Sequence, residues 1–453
     1  MSRSKTAYVC QECSTQYVRW QGQCNSCKQW ETIVQEELET KAKKAWDRNE
    51  HATKSSKPIK IDQIDLRKRP RIITQNKEFD RVIGGGLVPG SMVLIGGEPG
   101  IGKSTLLLQI SLDAEEVVLY ISGEESVEQI KLRADRIGGN KKNCYVLAET
   151  KLESIFEHIN RLSPGLVVVD SIQTLVSARV DSIASSITQI RTCTSELLEF
   201  SKKTLIPVVL IGHITKEGQL AGPKVLEHMV DTVLLFEGDQ NYSHRLLRTQ
   251  KNRFGPTSEI GIYQMHSNGL TEVENPSRLL ISQKDSHSSG YAIGVTVEGI
   301  RPLLIEVQAL VSTAVYGTPQ RSSTGFNSKR LNMLLAILEK RVGFSLGTKD
   351  VFINITGGIK VEEPAIDLAV VMAVLSSYYD LTIPQSTCFG AEIGLSGEIR
   401  AVPKIEIRIK EAQKRGYKEF VMSKHNESVE EIHDIKLYQS ERIEKVIQHF
   451  FRP

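Results

Sequence analysis

GEPGIGKS, at residues 97–104, is a glycine-rich turn of the form G-x-x-x-x-G-K-S, and it decides the fold of the central part of the chain. An apolar run at 91–95 precedes it, and a helical stretch at 105–110 follows it. In this strand–loop–helix setting, glycines let backbone N–H groups surround phosphate, and the helix N-terminus adds partial positive charge. We predict that Lys103 neutralises the β- and γ-phosphates of ATP and that Ser104 binds Mg²⁺. The predicted ATP and Mg²⁺ contacts are Gly97, Glu98, Pro99, Gly100, Ile101, Gly102, Lys103, Ser104 and Thr105.

Short apolar runs alternate with helical stretches on both sides of this turn. Apolar strands separated by helices are typical of a parallel sheet covered on both faces. We therefore predict an α/β ATPase domain over residues 61–276. Its expected strands are 91–95, 117–121, 166–169, 207–211 and 232–236, and its expected helices include 106–110 and 190–200.

Polar side chains follow three of the predicted strands. The run LVVVD ends at Asp170, the expected second carboxylate for the metal, although an ordinary strand-end aspartate is the alternative. The segment YISGEE carries Glu124 and Glu125 at a strand end, where a glutamate can polarise the attacking water. We favour Glu124 for this role and keep Glu125 as the alternative. His213 follows the fourth strand, where it either senses the γ-phosphate or has a structural role.

A basic segment, KNRFGPT, lies near the end of the predicted ATPase domain. Lys251 and Arg253 alternate on one face of an extended stretch. A pair of cations at such a place suits a finger that reaches the phosphate bound by the next subunit and offsets the charge that develops during phosphoryl transfer. A solvated basic hairpin is the alternative.

Four of the seven cysteines lie in two C-x-x-C pairs within residues 1–37: Cys10 with Cys13, and Cys24 with Cys27. Two such pairs complete a tetrahedral set of four thiolates, which suits structural Zn²⁺ and leaves no open position for catalysis. A segment this short builds little core, so the metal would supply its stability. A redox pair is the alternative, but no βαβ unit lies nearby. Three aromatic residues are expected to pack in this small core rather than to form a base-stacking platform: Tyr17, Trp20 and Trp30.

The composition excludes several classes of protein. Of 453 residues, 40% are hydrophobic and 25% charged, an ordinary globular balance that excludes a disordered chain or a rod. The net charge of +3 argues for no particular partner, so a nucleic-acid surface would have to come from local clustering. Neither a secretory signal nor an apolar run near the ~20 residues of a membrane helix is visible. We expect a soluble cytoplasmic protein without a membrane partner, with a charged linker at 38–60 and an α+β domain at 277–453.

With these residues in view, the chain resembles the bacterial RadA (Sms) family of recombination and DNA-repair ATPases over essentially its full length. The paired cysteines, GEPGIGKST, YISGEES, GHITKEG at 212–218 and KNRFG at 251–255 all match, and KNRFG is the most specific because it distinguishes this family from RecA. The resemblance implies a RecA-like core, a ring that is expected to be hexameric, ATP-driven movement on single-stranded DNA, branch migration of recombination intermediates, and contact with the RecA recombinase.

The third part of the chain resembles the Lon protease domain, with a decisive departure. Lon-type proteases carry a nucleophilic serine after Gly-Pro, whereas this chain reads Glu363-Pro364-Ala365, and a methyl group cannot attack a carbonyl. The position of the catalytic lysine falls near Glu406. We therefore expect an inactive, ring-forming scaffold.

Several basic residues are candidates for single-stranded DNA binding. Two loops of the ATPase domain, 173–186 and 216–224, lie at strand ends where ligand sites collect, and the second carries Lys216 and Lys224. In the third part, residues 321–341 hold five basic residues against one acid, Glu339. A solvated helix face is the alternative there. From this stretch we single out Arg321, Lys329 and Arg330.

Three functions compete at this stage. The first is an ATP-dependent DNA motor of recombination and repair. The second is an ATP-dependent Lon-type protease, which Ala365 speaks against. The third is a regulatory RecA-like ring ATPase that does not use DNA, and it would lack DNA-stimulated ATP hydrolysis.

Overall fold

The structure is a computed structural model of the chain. It describes residues 5–10, 15–26, 28–30, 32–38, 60–61, 70–139, 142–213, 225–238, 244–273, 275, 277, 280–281, 288–314, 318–426 and 434–451. Most of the linker expected at 38–60 lies outside these residues. The chain divides into two compact units, 1–272 and 273–453, and the domain boundary expected after residue 276 lies four residues further along.

The N-terminal part of the first unit is a small three-stranded antiparallel sheet. Its central strand is β1, Lys5–Cys10, which pairs with β2, Gln16–Tyr17, on one side and with β3, Ile33–Leu38, on the other. A sheet of this size encloses very little apolar volume, and its buried cluster contains Cys10, Cys24 and Ile33.

A nine-stranded sheet forms the rest of the first unit, in the order β12-β11-β10-β9-β4-β8-β7-β5-β6. The six strands from β9 to β6 run parallel, and five of them confirm the strands predicted from the sequence. These six are β4 (Met92–Gly97), β5 (Val118–Ser122), β6 (Cys144–Ala148), β7 (Leu166–Asp170), β8 (Val208–His213) and β9 (Thr232–Glu237).

Three antiparallel strands extend the sheet, so the expectation of a purely parallel sheet was incomplete. They are β10, His244–Asn252, β11, Ile260–His266, and β12, Gly269–Glu272. Their connections are too short for the crossover that parallel strands require, so each strand turns back on the one before it.

Helices cover both faces of the sheet, as the apolar strands predict. Along β4, Val93 and Ile95 join the core on one face, while Met92 and Leu94 join the core on the other. Side chains alternate across a strand, so a run that is apolar at every position needs a cover on each face. The helices of this unit are α1 (Lys77–Val82), α2 (Lys103–Asp113), α3 (Val127–Ile137), α4 (Leu152–Leu162), α5 (Ile187–Thr204) and α6 (Val225–Met229).

The second unit has a seven-stranded mixed sheet in the order β15-β16-β14-β13-β17-β20-β21, with a separate β18–β19 pair. The α+β composition expected for this part is confirmed. Its strands are β13 (Tyr291–Glu298), β14 (Arg301–Thr313), β15 (Arg321–Thr324), β16 (Lys349–Ile355), β17 (Thr387–Gly390), β18 (Glu392–Ile393), β19 (Ile399–Arg400), β20 (Glu419–Ser423) and β21 (Lys436–Ser440).

Helices of the second unit pack against this sheet, and the most apolar of them is buried along nearly its whole length. They are α7 (Ser328–Ile337), α8 (Asp367–Tyr379), α9 (Ile405–Lys414) and α10 (Ile443–Phe450). Among the residues that the structure describes, no helix is both long enough and apolar enough to cross a membrane.

Candidate nucleotide site and zinc module

The phosphate loop joins the end of β4 to the start of α2, as the sequence predicts. Gly100 and Gly102 have φ values of 78° and 116°, in the left-handed region that favours glycine. At Gly97, a Cβ atom would lie 2.6 Å from the carbonyl oxygen of Phe236, so a side chain cannot fit there. The backbone conformation and the packing therefore both require the glycines of the motif.

Lys103 is buried at the start of α2, with its amine turned back over the loop. Its Nζ donates hydrogen bonds to the carbonyl oxygens of Gly97 at 2.8 Å and Glu98 at 2.9 Å. Burial lowers the pKa of the Lys103 amine to about 8, against the opposing pull of the Asp170, Glu124 and Glu98 carboxylates. The amine is thus held beside the loop, where it interacts electrostatically with three carboxylates.

Asp170 ends β7 in a buried position close to Lys103. The Tyr120 hydroxyl donates a 2.6 Å hydrogen bond to its Oδ2 atom. Burial, reinforced by the Asp170 charge, raises the pKa of Tyr120 well above its ordinary value, so this hydroxyl remains a donor. Tyr120 was not among the site residues predicted from the sequence. The available signal was its place on the strand next to β7, two residues before the position that pairs with Asp170.

The structure separates the two adjacent glutamates. Ser171 Oγ donates a 2.6 Å hydrogen bond to Glu124 Oε1. Glu125 forms an ion pair with Arg133 of α3. Glu124 is therefore the glutamate beside Asp170 and Lys103, while Glu125 is held towards the neighbouring helix.

His213 is placed by strand pairing alone. It is the last residue of β8, directly opposite Gly97 in the register between β4 and β8. Its backbone thus lies beside the first glycine of the phosphate loop.

Lys251 and Arg253 lie at the opposite end of the sheet from the phosphate loop. Lys251 pairs with Val233 on β9, next to Thr232, which pairs with Val93 near the start of β4. The loop begins four residues later, about 13 Å along the strand. These two cations therefore lie at the opposite end of the strands from the phosphate loop of their own chain.

The two cations also differ in their surroundings. The Lys251 amine donates to the carbonyl oxygens of Glu227 at 2.6 Å and Val230 at 2.8 Å, at the end of α6. Burial lowers the pKa of this amine, and the nearby Arg253 charge adds to the effect. The Arg253 side chain is 54% exposed and lies 3.3 Å from the Asp231 carboxylate. Lys251 anchors a helix end, whereas Arg253 remains accessible.

The cysteine module has two of its four thiols in the described part of the chain. Cys10 and Cys24 are both buried in one cluster with Ile33. Around Cys24 the chain turns sharply, because the Lys28 N–H donates to the Cys24 carbonyl oxygen at 2.9 Å. Two inward thiols in a module with almost no other core fit a structural zinc ion. Cys13 and Cys27 lie outside the described residues.

The expectation that Trp20 and Trp30 pack in the core of this module was wrong. Tyr17 does pack against the cysteine cluster, but the two tryptophans are 60% and 68% exposed. The short strands enclose too little volume for two indoles in addition to the cysteines and Ile33.

The basic residues proposed for DNA binding fall into three groups. Lys216 and Lys224 lie outside the described residues. Arg321 is half-buried on β15, and Lys329 is exposed in the first turn of α7. Arg330 forms an ion pair with the buried Asp367 and approaches Glu392 at 3.3 Å, so its charge is already compensated.

At the position where Lon-type proteases carry the nucleophilic serine, this chain has a buried alanine next to an ion pair. Ala365 is buried in an apolar cluster. Beside it, Glu363 pairs with Arg408, a fully buried arginine whose Nη1 also donates to the Val295 carbonyl oxygen at 2.7 Å. Glu406 lies in the first turn of α9, where it approaches Lys410 at 3.8 Å.

Comparison with known proteins covers each part of the chain. Family models match residues 8–35 (rubredoxin metal-binding domain), 70–219 (AAA domain) and 307–426 (subunit ChlI of magnesium chelatase). The DNA repair protein RadA of Bacillus subtilis is 46% identical over 430 residues, 94% of each chain. The RadA of Halalkalibacterium halodurans is 45% identical over 430 residues, again 94% of each. A solved RadB recombinase is 23% identical, with a TM-score of 0.37, and the match covers 45% of this chain and 100% of that one.

Proposed function

Because this chain belongs to the RadA family of DNA repair proteins, we propose that it is an ATP-driven motor that moves on single-stranded DNA and promotes branch migration of recombination intermediates. The observation that carries the ATPase part is the meeting of Lys103, Asp170 and Glu124 at one edge of the sheet. Three separate segments of the chain contribute one group each. We propose that the protein acts in the cytoplasm.

The phosphate loop would bind ATP through backbone N–H groups and Lys103, which is already poised as a buried cation. Hydroxyl and carboxylate oxygens are the ligands that Mg²⁺ prefers, so Ser104 and Asp170 fit the metal, with Tyr120 orienting the carboxylate. Bound Mg²⁺ would neutralise charge on the β- and γ-phosphates. Glu124 would orient the attacking water, and the hydrogen bond from Ser171 fixes the direction of its carboxylate.

The remaining side of the nucleotide would be covered by a second copy of the chain. Arg253 is accessible and lies at the other end of the sheet from the loop of its own chain. In a closed ring, expected to be hexameric, that end would face the neighbour's nucleotide. Arg253 would then stabilise charge in the transition state, while Lys251 holds the finger to the end of α6.

DNA contacts are proposed for the loops at the sheet edge that carries the nucleotide site, together with Arg321 and Lys329 of the second unit. The 173–186 loop begins two residues after Ser171, the residue bonded to Glu124. This connection would couple DNA contact to hydrolysis. The N-terminal module would hold zinc through its four cysteines and would contact the RecA recombinase.

An unwinding assay on a forked duplex, run beside an ATP hydrolysis assay, tests this function. Wild type should hydrolyse ATP faster with single-stranded DNA and should unwind the fork, whereas Lys103→Ala should do neither while its secondary structure stays unchanged. Hydrolysis that ignores DNA would instead favour a regulatory ring ATPase. Degradation of casein with ATP would favour the protease reading that Ala365 argues against.

A further inference from the structure

An exposed aromatic surface on the N-terminal module has no role in the function proposed so far. Trp20 and Trp30 are 60% and 68% exposed, and Val18, two residues before Trp20 in the sequence, is 93% exposed. An indole is a large apolar group that usually gains free energy from burial. Two of them on the surface of so small a module indicate an interaction site.

The fold holds both indoles at one place. A Cβ atom at Gly22 would lie 3.7 Å from Cζ3 of Trp30 and 3.9 Å from Cη2 of Trp20, so both rings reach the same point beside a residue without a side chain. Trp20 Nε1 donates a 3.0 Å hydrogen bond to the Ile33 carbonyl oxygen, which fixes one ring by its edge. Trp30 is held through backbone pairing with Gln23. We call Trp20, Trp30 and the gap at Gly22 the tryptophan platform.

The described residues of the segment that carries the platform include two basic side chains. Among the described residues 15–26 and 28–30, the charged side chains are Arg19 and Lys28, and both are exposed. The other polar side chains of this stretch include several amides, which can donate to and accept from base edges. Exposed aromatic rings in the same short segment as exposed cations match the chemistry of a phosphate-linked chain of bases.

We propose that the tryptophan platform stacks bases of single-stranded nucleic acid, while Arg19 and Lys28 attract its phosphates. Stacking on indole tolerates any sequence because every base has an aromatic face. The module would thereby provide a second contact with the single-stranded DNA along which the ATPase ring is proposed to move. This inference rests on the proposed DNA function, but it concerns only the platform.

Fluorescence of the full-length chain tests the platform directly. The chain has three tryptophans, so Trp46→Phe leaves emission from Trp20 and Trp30 alone. An oligothymidine of about 20 nucleotides, long enough for typical single-strand sites, should quench this emission in parallel with binding measured by anisotropy. An abasic strand of the same length should bind more weakly and should leave the emission nearly unchanged, because it retains the phosphates and lacks the bases.

Variants then separate stacking from folding. Trp20→Ala with Trp30→Ala should weaken oligothymidine binding at least about tenfold, with zinc content and DNA-free ATP hydrolysis unchanged. The pair Trp20→Phe and Trp30→Phe should retain most of the affinity, because phenyl rings still stack. Val18→Ala is the matched control, since it removes exposed apolar surface without a ring, and it should bind within about twofold of wild type.

Two results would overturn the platform alone: unchanged oligothymidine binding in the double alanine variant at full zinc content, or equal quenching by the abasic strand. If the double alanine variant loses binding to a recombinase protein but keeps its DNA binding, the indoles serve protein docking, and the inference is also overturned. A wild-type chain that neither binds oligothymidine nor hydrolyses ATP faster in its presence would overturn the proposed DNA function together with the platform.

Discussion

Ser171 Oγ lies 2.6 Å from Glu124 Oε1 and donates a hydrogen bond to that carboxylate. Ser171 directly follows Asp170, the proposed metal ligand, and precedes the 173–186 loop proposed to contact DNA. The bond therefore connects Glu124, the residue proposed to orient water, with a residue that lies two positions before the loop proposed to contact single-stranded DNA. Glu125 lacks this link because it pairs with Arg133.

Glu124→Gln should reduce the turnover number for ATP hydrolysis by at least about 10²-fold, the usual scale for a general acid–base group, while nucleotide affinity changes little. Glu125→Gln is the matched control one residue away, and it should retain most of the hydrolysis. Steady-state hydrolysis and nucleotide titration of both variants provide the measurement. A larger loss in Glu125→Gln than in Glu124→Gln would reverse the assignment.

Ser171→Ala should lower the turnover number about tenfold or more, because a hydrogen bond to a charged group contributes roughly 1.5–3 kcal/mol. The Michaelis constant for ATP should change little, since Ser171 is not proposed to touch the nucleotide. The ratio of DNA-stimulated to DNA-free hydrolysis should also fall. If that ratio matches wild type, Ser171 does not couple the loop to Glu124.

ATP binding should become weaker as the pH rises through about 8. Burial lowers the pKa of Lys103 to about 8 in the structure, and the phosphates of bound ATP would raise it again. The amine is charged in both states well below pH 8, but above pH 8 the free protein must take up a proton when it binds. Titration calorimetry at pH 9, in buffers of different ionisation enthalpy, measures this uptake. Lys103→Arg is the control, since arginine stays protonated and should show none.

Arg253→Ala should keep nucleotide binding and lose about 10³-fold or more in hydrolysis, as is typical when an arginine finger is removed. Because Arg253 lies at the far end of the sheet from its own phosphate loop, the finger should act on the neighbouring subunit. Mixing Arg253→Ala with Lys103→Ala chains should therefore restore part of the activity, at interfaces that pair an intact loop with an intact finger. Mixed rings that form and stay inactive would assign Arg253 to DNA binding or to local structure.

One zinc ion per chain is expected, and Cys27→Ser should release it and unfold only the N-terminal module. Cys10 and Cys24 make up most of the buried cluster of that module, so little else stabilises it once the metal is lost. ATP hydrolysis should persist, and binding to RecA should weaken more than hydrolysis does. Metal analysis of freshly reduced protein gives the stoichiometry, and a wild-type protein without zinc would contradict the assignment.

The phosphate loop, the buried strands and the zinc module could be predicted from sequence because each depends on residues close together in the chain. Gly100 and Gly102 are required by the local path of the backbone, which is left-handed at both residues. The run LVVVD has no polar face, so it needs cover on both sides wherever it lies. Two cysteines with two residues between them have a spacing that by itself suits a shared metal ion.

Tertiary structure alone decided the rest, because parallel strands bring together residues that are distant in the chain. The sequence favours Glu124 and leaves Glu125 open as the alternative, and the contacts with Ser171, 47 residues from Glu124, and with Arg133 of α3 separate the two. The antiparallel extension of the sheet placed Arg253 at the end opposite its own phosphate loop. Likewise, the exposure of Trp20 depends on how much volume the short strands enclose, and a local sequence pattern does not determine that volume.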